Sequence, residues 1–538
     1  MRNLLLVVFL LYTPLLTDTG PYLTFVSSVR QDDALRKLSP ENEQQLLNDI
    51  IYFRQQIEEN KSEPDNYFNL GLAAIALDKL ATAEASLEVV IKLRPQDIDA
   101  RFNLGMVYAR QKKYSEAIDA FTRVVGMNSE WAEPHYNLGQ AYKLSGMLIK
   151  SIKSFVKATT LDPKNSLFHF GRGTTEEKLG ALGDAAISFT NAASIDQNYL
   201  EAHLSLGNVL FKQRKFKEAQ DAFREVLRID SRMIKAYCKL GMIAMAEGSI
   251  DKAIQEYQTA LDIDNNSVEA KAGIAQAMLR AGKIEESINL YQNVQAMDPE
   301  SASLNYHMGT AYAAGQRYEQ ALDAFSKTIE INPEYAEAYL AIGNTLNTIG
   351  KQETAKKFLQ TFQRLNVYKE ELSQAESLVR LHPRVAEVHY NMATALAQLR
   401  RYEEAIVEFR IATELAPRFV HAYNNLGVTY VQLGQYEEAL TAYQQTIVLD
   451  STFVDAYTNL AWLYTEHGSD LDRALQLAEK AVLISPTVVS YETLAIVRNA
   501  RGDYIKADEA MAQAIQIDQG NTNLKKQWEQ IKKLRGSS

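Results

Sequence analysis

Six asparagines stand in two evenly spaced sets. They are Asn69, Asn103 and Asn137, then Asn391, Asn425 and Asn459, with one constant interval inside each set. An Asn side chain offers one acceptor and two donors, which matches the needs of a peptide group. A row of them on one face can hold the backbone of an extended peptide with little demand on its sequence. Trp462 follows Asn459 by about one helical turn, and an exposed Trp there is the kind of side chain that anchors a partner. The alternative is that the asparagines contact only each other or water, and that Trp462 packs against a neighbouring element.

The other residues able to do chemistry form no constellation. His135, His169 and His203 are separated by that same interval. Stacked helices lie about 8–10 Å apart, so side chains one repeat apart, two such packing distances away, are too distant to share a metal ion. A fourth, His389, falls at the equivalent place later in the sequence. The single cysteine, Cys238, excludes an intramolecular disulfide and a cysteine-based metal cluster, and reads as a packing residue. No HExxH, CxxC, nucleophile elbow or glycine-rich phosphate loop occurs. Acidic pairs such as Glu403–Glu404 fall at helix starts, where the helix dipole favours negative charge. The expectation is a non-enzyme with no catalytic residue, no metal and no cofactor.

The elements that carry these residues repeat. His421–Asp450 reads as two amphipathic helices joined at Gly434, and the pattern recurs with a period of about 34 residues. Thirteen copies begin near residues 64, 98, 132, 166, 200, 234, 268, 302, 336, 386, 420, 454 and 488. Position 8 is Gly or Ala in every copy, and position 20 is Ala or Ser, as two closely packed helices require. Position 24 is often aromatic, as at Phe121, Phe325 and Tyr443. Gly recurs at position 15, where a helix needs a left-handed cap, and Pro at position 32, where the second helix ends. On a first helix at about 100° per residue, positions 4, 7, 8 and 11 form the packing side. Positions 2, 6, 9 and 13 lie opposite, and the asparagines occupy position 6. Between the two sets, position 6 is Gly171, Ser205, Lys239, Gly273, His307 and Ala341.

The repeat length, the small residues at 8 and 20 and the aromatic at 24 resemble the tetratricopeptide repeat (TPR) family. The resemblance implies an all-α, right-handed α-solenoid of about thirteen helix-turn-helix units, with the position-6 side lining a concave surface. The asparagine rows are similar to those in the TPR arm of O-linked N-acetylglucosamine transferase, which contacts substrate peptide backbone. That similarity covers six of thirteen repeats, and this sequence has no glycosyltransferase domain. Co-chaperone TPR domains hold a C-terminal carboxylate with lysines and arginine on the concave face. Here position 5 of the first three repeats is Phe68, Phe102 and Tyr136, so that clamp pattern is absent.

The remaining segments divide the sequence. Residues 1–30 contain an apolar run, 4–16, behind Arg2. It reads as a signal peptide or a membrane anchor, with an apolar helix of a soluble protein as the alternative. Either of the first two implies that the repeats lie outside the cytoplasm, with membrane association through residues 4–28; the alternative is cytoplasmic. Residues 31–63 read as an N-terminal capping helix or linker, 64–365 as repeats one to nine, 366–385 as a helical insertion, 386–521 as repeats ten to thirteen and 522–538 as a C-terminal capping helix. The net charge is −10 with both signs well mixed, which argues against nucleic acid as a partner. The expected function is a protein-protein interaction scaffold or adaptor that binds extended peptides or partner proteins. The alternative is a regulatory or substrate-recruiting subunit of a cell-envelope complex in secretion, polysaccharide assembly or glycosyl transfer, a role many bacterial TPR proteins with N-terminal signals serve.

Overall fold

The computed structural model describes residues 40–468 and 470–537, and the ordered elements among them are helices. Each repeat is a first helix of 13 residues and a second of 14, such as Val420–Gln432 and Tyr436–Leu449; the ninth repeat has a longer second helix. The first helix of this pair stops because Gly434 enters the left-handed region at φ +71°. Its N–H donates to the Val431 carbonyl at 3.0 Å, and the Gln435 N–H donates to Tyr430 at 3.0 Å. This Schellman arrangement satisfies carbonyls that the helix leaves open. Position 15 is left-handed in all thirteen repeats, and five of them carry no glycine there: Asp78, Lys112, Arg214, Gln316 and Arg400. At Lys112 (φ +62°) the same two bonds form, Lys112 N–H to Ala109 and Lys113 N–H to Tyr108.

The helices of a pair close on one contact. A Cβ built on Gly427 would stand 2.6 Å from Cε1 of Tyr443, and one on Gly105 would stand 2.7 Å from Cε1 of Phe121. Position 8 must therefore be small because the position-24 side chain fills its space. Ala439, at position 20, is wholly buried beside this contact.

The described residues form two compact units, divided between Ala281 and Gly282. In the first, the first helices Pro64–Ala76, Ile98–Arg110, Ala132–Leu144 and Ser166–Lys178 pack in succession, each on the next. In the second, Ala386–Gln398, Val420–Gln432, Val454–Glu466 and Val488–Ala500 do the same. Helix Pro40–Glu59 covers the start of the first unit, with Leu46, Ile50 and Phe53 against Leu70 and Ala73. In the second unit, Gln352–Leu381 is one continuous helix of 30 residues whose Leu372 joins Leu396 and Phe409 in a core. Helix Thr522–Ser537 sets Leu524 and Ile531 against Ala507 and Met511. Its Trp528 Nε1 donates to Asp508 Oδ1 at 2.6 Å, and Lys532 lies 3.3 Å from the Trp528 ring centroid.

The expectation of an exported or membrane-anchored protein with the repeats outside the cytoplasm is corrected here. Among the described residues no helix is long and apolar enough to cross a membrane. A span needs about 20 predominantly apolar residues, whereas these helices are short and amphipathic, or, at Gln352–Leu381, charged along their length. Residues 4–28, which carried the signal or anchor reading, lie outside the described residues.

Candidate functional site

In the first unit, Asn69, Asn103 and Asn137 occupy equivalent places on three successive first helices, and all three are half-buried. Asn103 Nδ2 donates to the Asp99 carbonyl at 2.8 Å, and Asn137 Nδ2 donates to Glu133 at 2.9 Å. Each bond runs to the residue's own helix, one turn back. It fixes the side chain and uses one of its two amide hydrogens. The three asparagines are thus repeated but not bonded to one another.

The second unit differs. Asn425 Nδ2 donates to Tyr390 Oη at 3.1 Å, across to the preceding repeat. Asn459 Nδ2 donates to Asn424 Oδ1 at 3.3 Å, and Asn424 Nδ2 lies 3.4 Å from Asn425 Oδ1. This series of bonds ties three successive first helices together. Asn391, in contrast, is exposed and outside it. The linking residue, Asn424, is buried at 7 % exposure and sits at position 5, where Phe or Tyr stands in many repeats. The Asn424–Asn425 doublet was the available signal for it. Trp462 is 39 % exposed, as is Val428 at the same position of the preceding first helix. Trp462 therefore keeps a large apolar surface available beside Asn459.

The histidines have a different task. His135, His169, His203 and His389 each place Nε2 at 2.9–3.2 Å from a carbonyl in the loop before their helix, at the end of the preceding repeat. Arg101, Tyr237, Asn305, Tyr339 and Tyr457 make the same bond from the same position 4. The accepting residue is Pro95, Pro163, Pro299, Pro333 or Pro383 in five of these repeats. Position 4 thus supplies a donor that ties each loop to the start of the next repeat. His389 also meets Glu408: Nδ1 lies 2.6 Å from Oε2, and both residues are buried. Cys238 is buried, and burial pushes its thiol up to about 12, away from the reactive thiolate. Among the described residues no group of His, Cys, Asp and Glu is arranged to hold a metal ion.

The TPR family models match residues 68–130, 132–165, 204–268, 244–308, 309–350, 394–434 and 429–468, together more than half of the sequence. A comparison with curated proteins finds no match. Among solved structures the protein is similar to YrrB, described as a TPR protein with an unusual peptide-binding site. There the identity is 24 %, the match covers 35 % of this protein and 98 % of YrrB, and the TM-score is 0.29. It is similar to the Cut9-Hcn1 hetero-tetramer of the APC/C at 14 % identity, covering 87 % and 96 %, with a TM-score of 0.31. Pseudomonas aeruginosa pilF matches at 17 % identity, covering 39 % and 95 %, with a TM-score of 0.33. These are likenesses of fold alone, whereas the family models match the sequence itself. The protein belongs to the tetratricopeptide repeat family.

Proposed function

We propose that this protein is a non-enzymatic protein-binding scaffold that holds extended segments of other proteins on its first-helix faces. One face centres on Asn69, Asn103 and Asn137. The other centres on Asn391, Asn425, Asn459 and Trp462. The observation that carries this reading is the repetition of accessible amides on first helices that pack directly on one another. Packed helices lie about 8–10 Å apart, and an extended peptide advances about 3.3 Å per residue. One asparagine per repeat thus meets roughly every third residue of a bound peptide.

The two faces differ chemically, and this favours a second form of the same reading. The first unit presents separate amides held only by their own helices. The second presents a cross-linked amide series beside an exposed Trp. A protein with two dissimilar faces suits a recruiting subunit, which fixes itself to a complex with one and receives a client on the other. A random peptide library passed over the full-length protein tests the binding claim. Selected peptides are expected to lose affinity on Asn103→Ala with Asn137→Ala, or on Trp462→Ala, but not on both. Peptides insensitive to either change would overturn it.

A further inference from the structure

The second helix of repeat nine, Gln352–Leu381, runs on past Leu365, where a second helix of 14 residues would end. Its two halves serve different neighbours. Residues 352–365 pack on their own first helix, Ala336–Thr348, where Leu359 meets Gly343 and the Phe358 ring lies 6.3 Å from that of Tyr339. Residues 366–381 serve the next first helix, Ala386–Gln398, with Tyr368 and Leu372 in one core with Leu396. Elsewhere a single stretch of 14 residues does both. Phe155, at position 24 of repeat three, stands 3.0 Å from the Cβ direction of Gly139 on its own first helix and 2.8 Å from that of Gly171 on the next. Positions 20, 24 and 27 are buried in the other twelve repeats. In repeat thirteen, helix Thr522–Ser537 does the covering. In repeat nine Ala355 is buried, but Leu359 and Phe362 stay partly exposed. Among the described residues, this face lacks the helix that covers each of its counterparts.

The rim of the uncovered face says what fits it. Positions 21 and 25 of a second helix turn toward the next first helix. Glu84, at position 21, takes Lys113 at 2.7 Å, and Gln220, at the same place, donates to Glu247 at 3.1 Å. At position 25, Gln292 donates to Tyr312 Oη at 2.9 Å. In repeat nine these places hold Lys356 and Gln360, both exposed and, among the described residues, without a hydrogen-bond or ion-pair partner. Position 21 is Ile or Leu in most repeats and a lysine in this one alone. We infer that the face receives an amphipathic helix of a partner protein, lying along residues 352–365 as a first helix does. The register follows from the array. A small residue of the partner stands against Leu359, as Gly171 does against Phe155. Apolar residues flank it against Phe362, as Ala100 and Leu104 do with Val90. A carboxylate near its C-terminal end meets Lys356, at the place from which Glu247 meets Gln220. Covering Leu359 and Phe362 supplies affinity, and the charge pair selects the partner. This surface takes a helix through apolar side chains, whereas the asparagine faces take extended backbone through amides, so the two readings stand or fall separately.

The test uses the full-length protein and two fluorescent peptides that copy residues 268–281, a first helix of this protein with Gly273 at the small position. Each is held helical by a hydrocarbon staple joining positions 2 and 9, on the side away from the packing residues. One carries Ala281→Glu and the other Ala281→Lys, so they differ only in the charge set against Lys356. Fluorescence anisotropy is expected to show the Glu probe binding about threefold more tightly than the Lys probe, as an exposed ion pair allows. Lys356→Glu, at an exposed position, is expected to reverse that order. Phe362→Asp is expected to abolish binding of both. Equal affinity of the two probes for both proteins, no binding of either, or binding that survives Phe362→Asp would each overturn the inference. Sedimentation of the unmodified protein supplies the remaining outcome. Self-association that rises with concentration and is lost in Lys356→Glu would give the face to a second copy and overturn the partner helix.

Discussion

Gly427 and Tyr443 share one space: the ring carbon Cε1 stands 2.6 Å from where a glycine Cβ would be. The two residues lie at positions 8 and 24 of repeat eleven, and the same pairing recurs at Gly309 and Phe325, also at 2.6 Å. Gly427→Ala is therefore expected to destabilise its repeat by about 1–3 kcal/mol, as overpacking does. Gly126, inside helix Tyr114–Met127, has no atom within 4 Å of its Cβ direction. Gly126→Ala should instead stabilise by about 0.5–1 kcal/mol through helix propensity. Hydrogen exchange of the amides in each repeat measures both. Ala439→Leu tests the same helix contact from position 20, with an expected loss of about 1–3 kcal/mol.

The turns make an opposite pair of predictions. Lys112 and Arg400 hold left-handed conformations that favour glycine. Lys112→Gly and Arg400→Gly should each stabilise by about 0.5–1 kcal/mol, since relief of roughly 1–2 kcal/mol of backbone strain exceeds the added freedom of the unfolded state. Gly434→Ala, at φ +71°, should destabilise by about 1–2 kcal/mol. Shifts in denaturant midpoint check the signs.

Glu408→Ala is expected to destabilise repeat ten by about 2–3 kcal/mol. It removes the partner of the buried His389 Nδ1 and leaves that ring nitrogen without a hydrogen-bond partner. His389→Asn should lose less, because Asn305 shows that an amide at position 4 still reaches the loop carbonyl. Thermal unfolding of the two variants gives the order.

Lys143 gives a pH dependence of defined sign. Burial pushes its ammonium down to about 8 in the fold against about 10.4 in an unfolded polypeptide. The unfolded state therefore binds more protons between those values. The destabilisation is fully present below about pH 8 and is relieved as pH rises from there toward about 10.4. Wild type should gain this stability relative to Lys143→Met over that range; the difference between the two profiles isolates the lysine from the buried Cys238 thiol and tyrosines that both proteins keep. An identical pH profile for the two proteins would contradict it.

Much of this fold was legible because its rules repeat. Gly434 announced its left-handed turn, and the small residue at position 8 announced a close helix contact. What could not be read was which side chain filled that contact, because positions 8 and 24 lie on different helices and periodicity alone does not pair them. The left-handed turns at Lys112 and Arg400 were hidden because nothing in a Lys or Arg marks that conformation; the surrounding hydrogen bonds impose it. The position-4 donors escaped for a related reason. Arg101, His169, Asn305 and Tyr339 look unlike one another and share only a polar hydrogen at the right reach. At the candidate faces, the spacing of the asparagines was visible, but the link through Asn424 was not, since it depends on a bond between neighbouring repeats.

The two asparagine faces are expected to bind different protein segments. Cross-linked co-purification from native cells tests this most directly, using the full-length protein and two triple variants. In one, Asn69, Asn103 and Asn137 become Ala; in the other, Asn391, Asn425 and Asn459 do. Each variant, shown to be folded by its unchanged helical content, is expected to lose a different partner while keeping the other's. Retention of every partner by both variants would contradict the two-face scaffold and assign the asparagines to the internal bonding of the repeats.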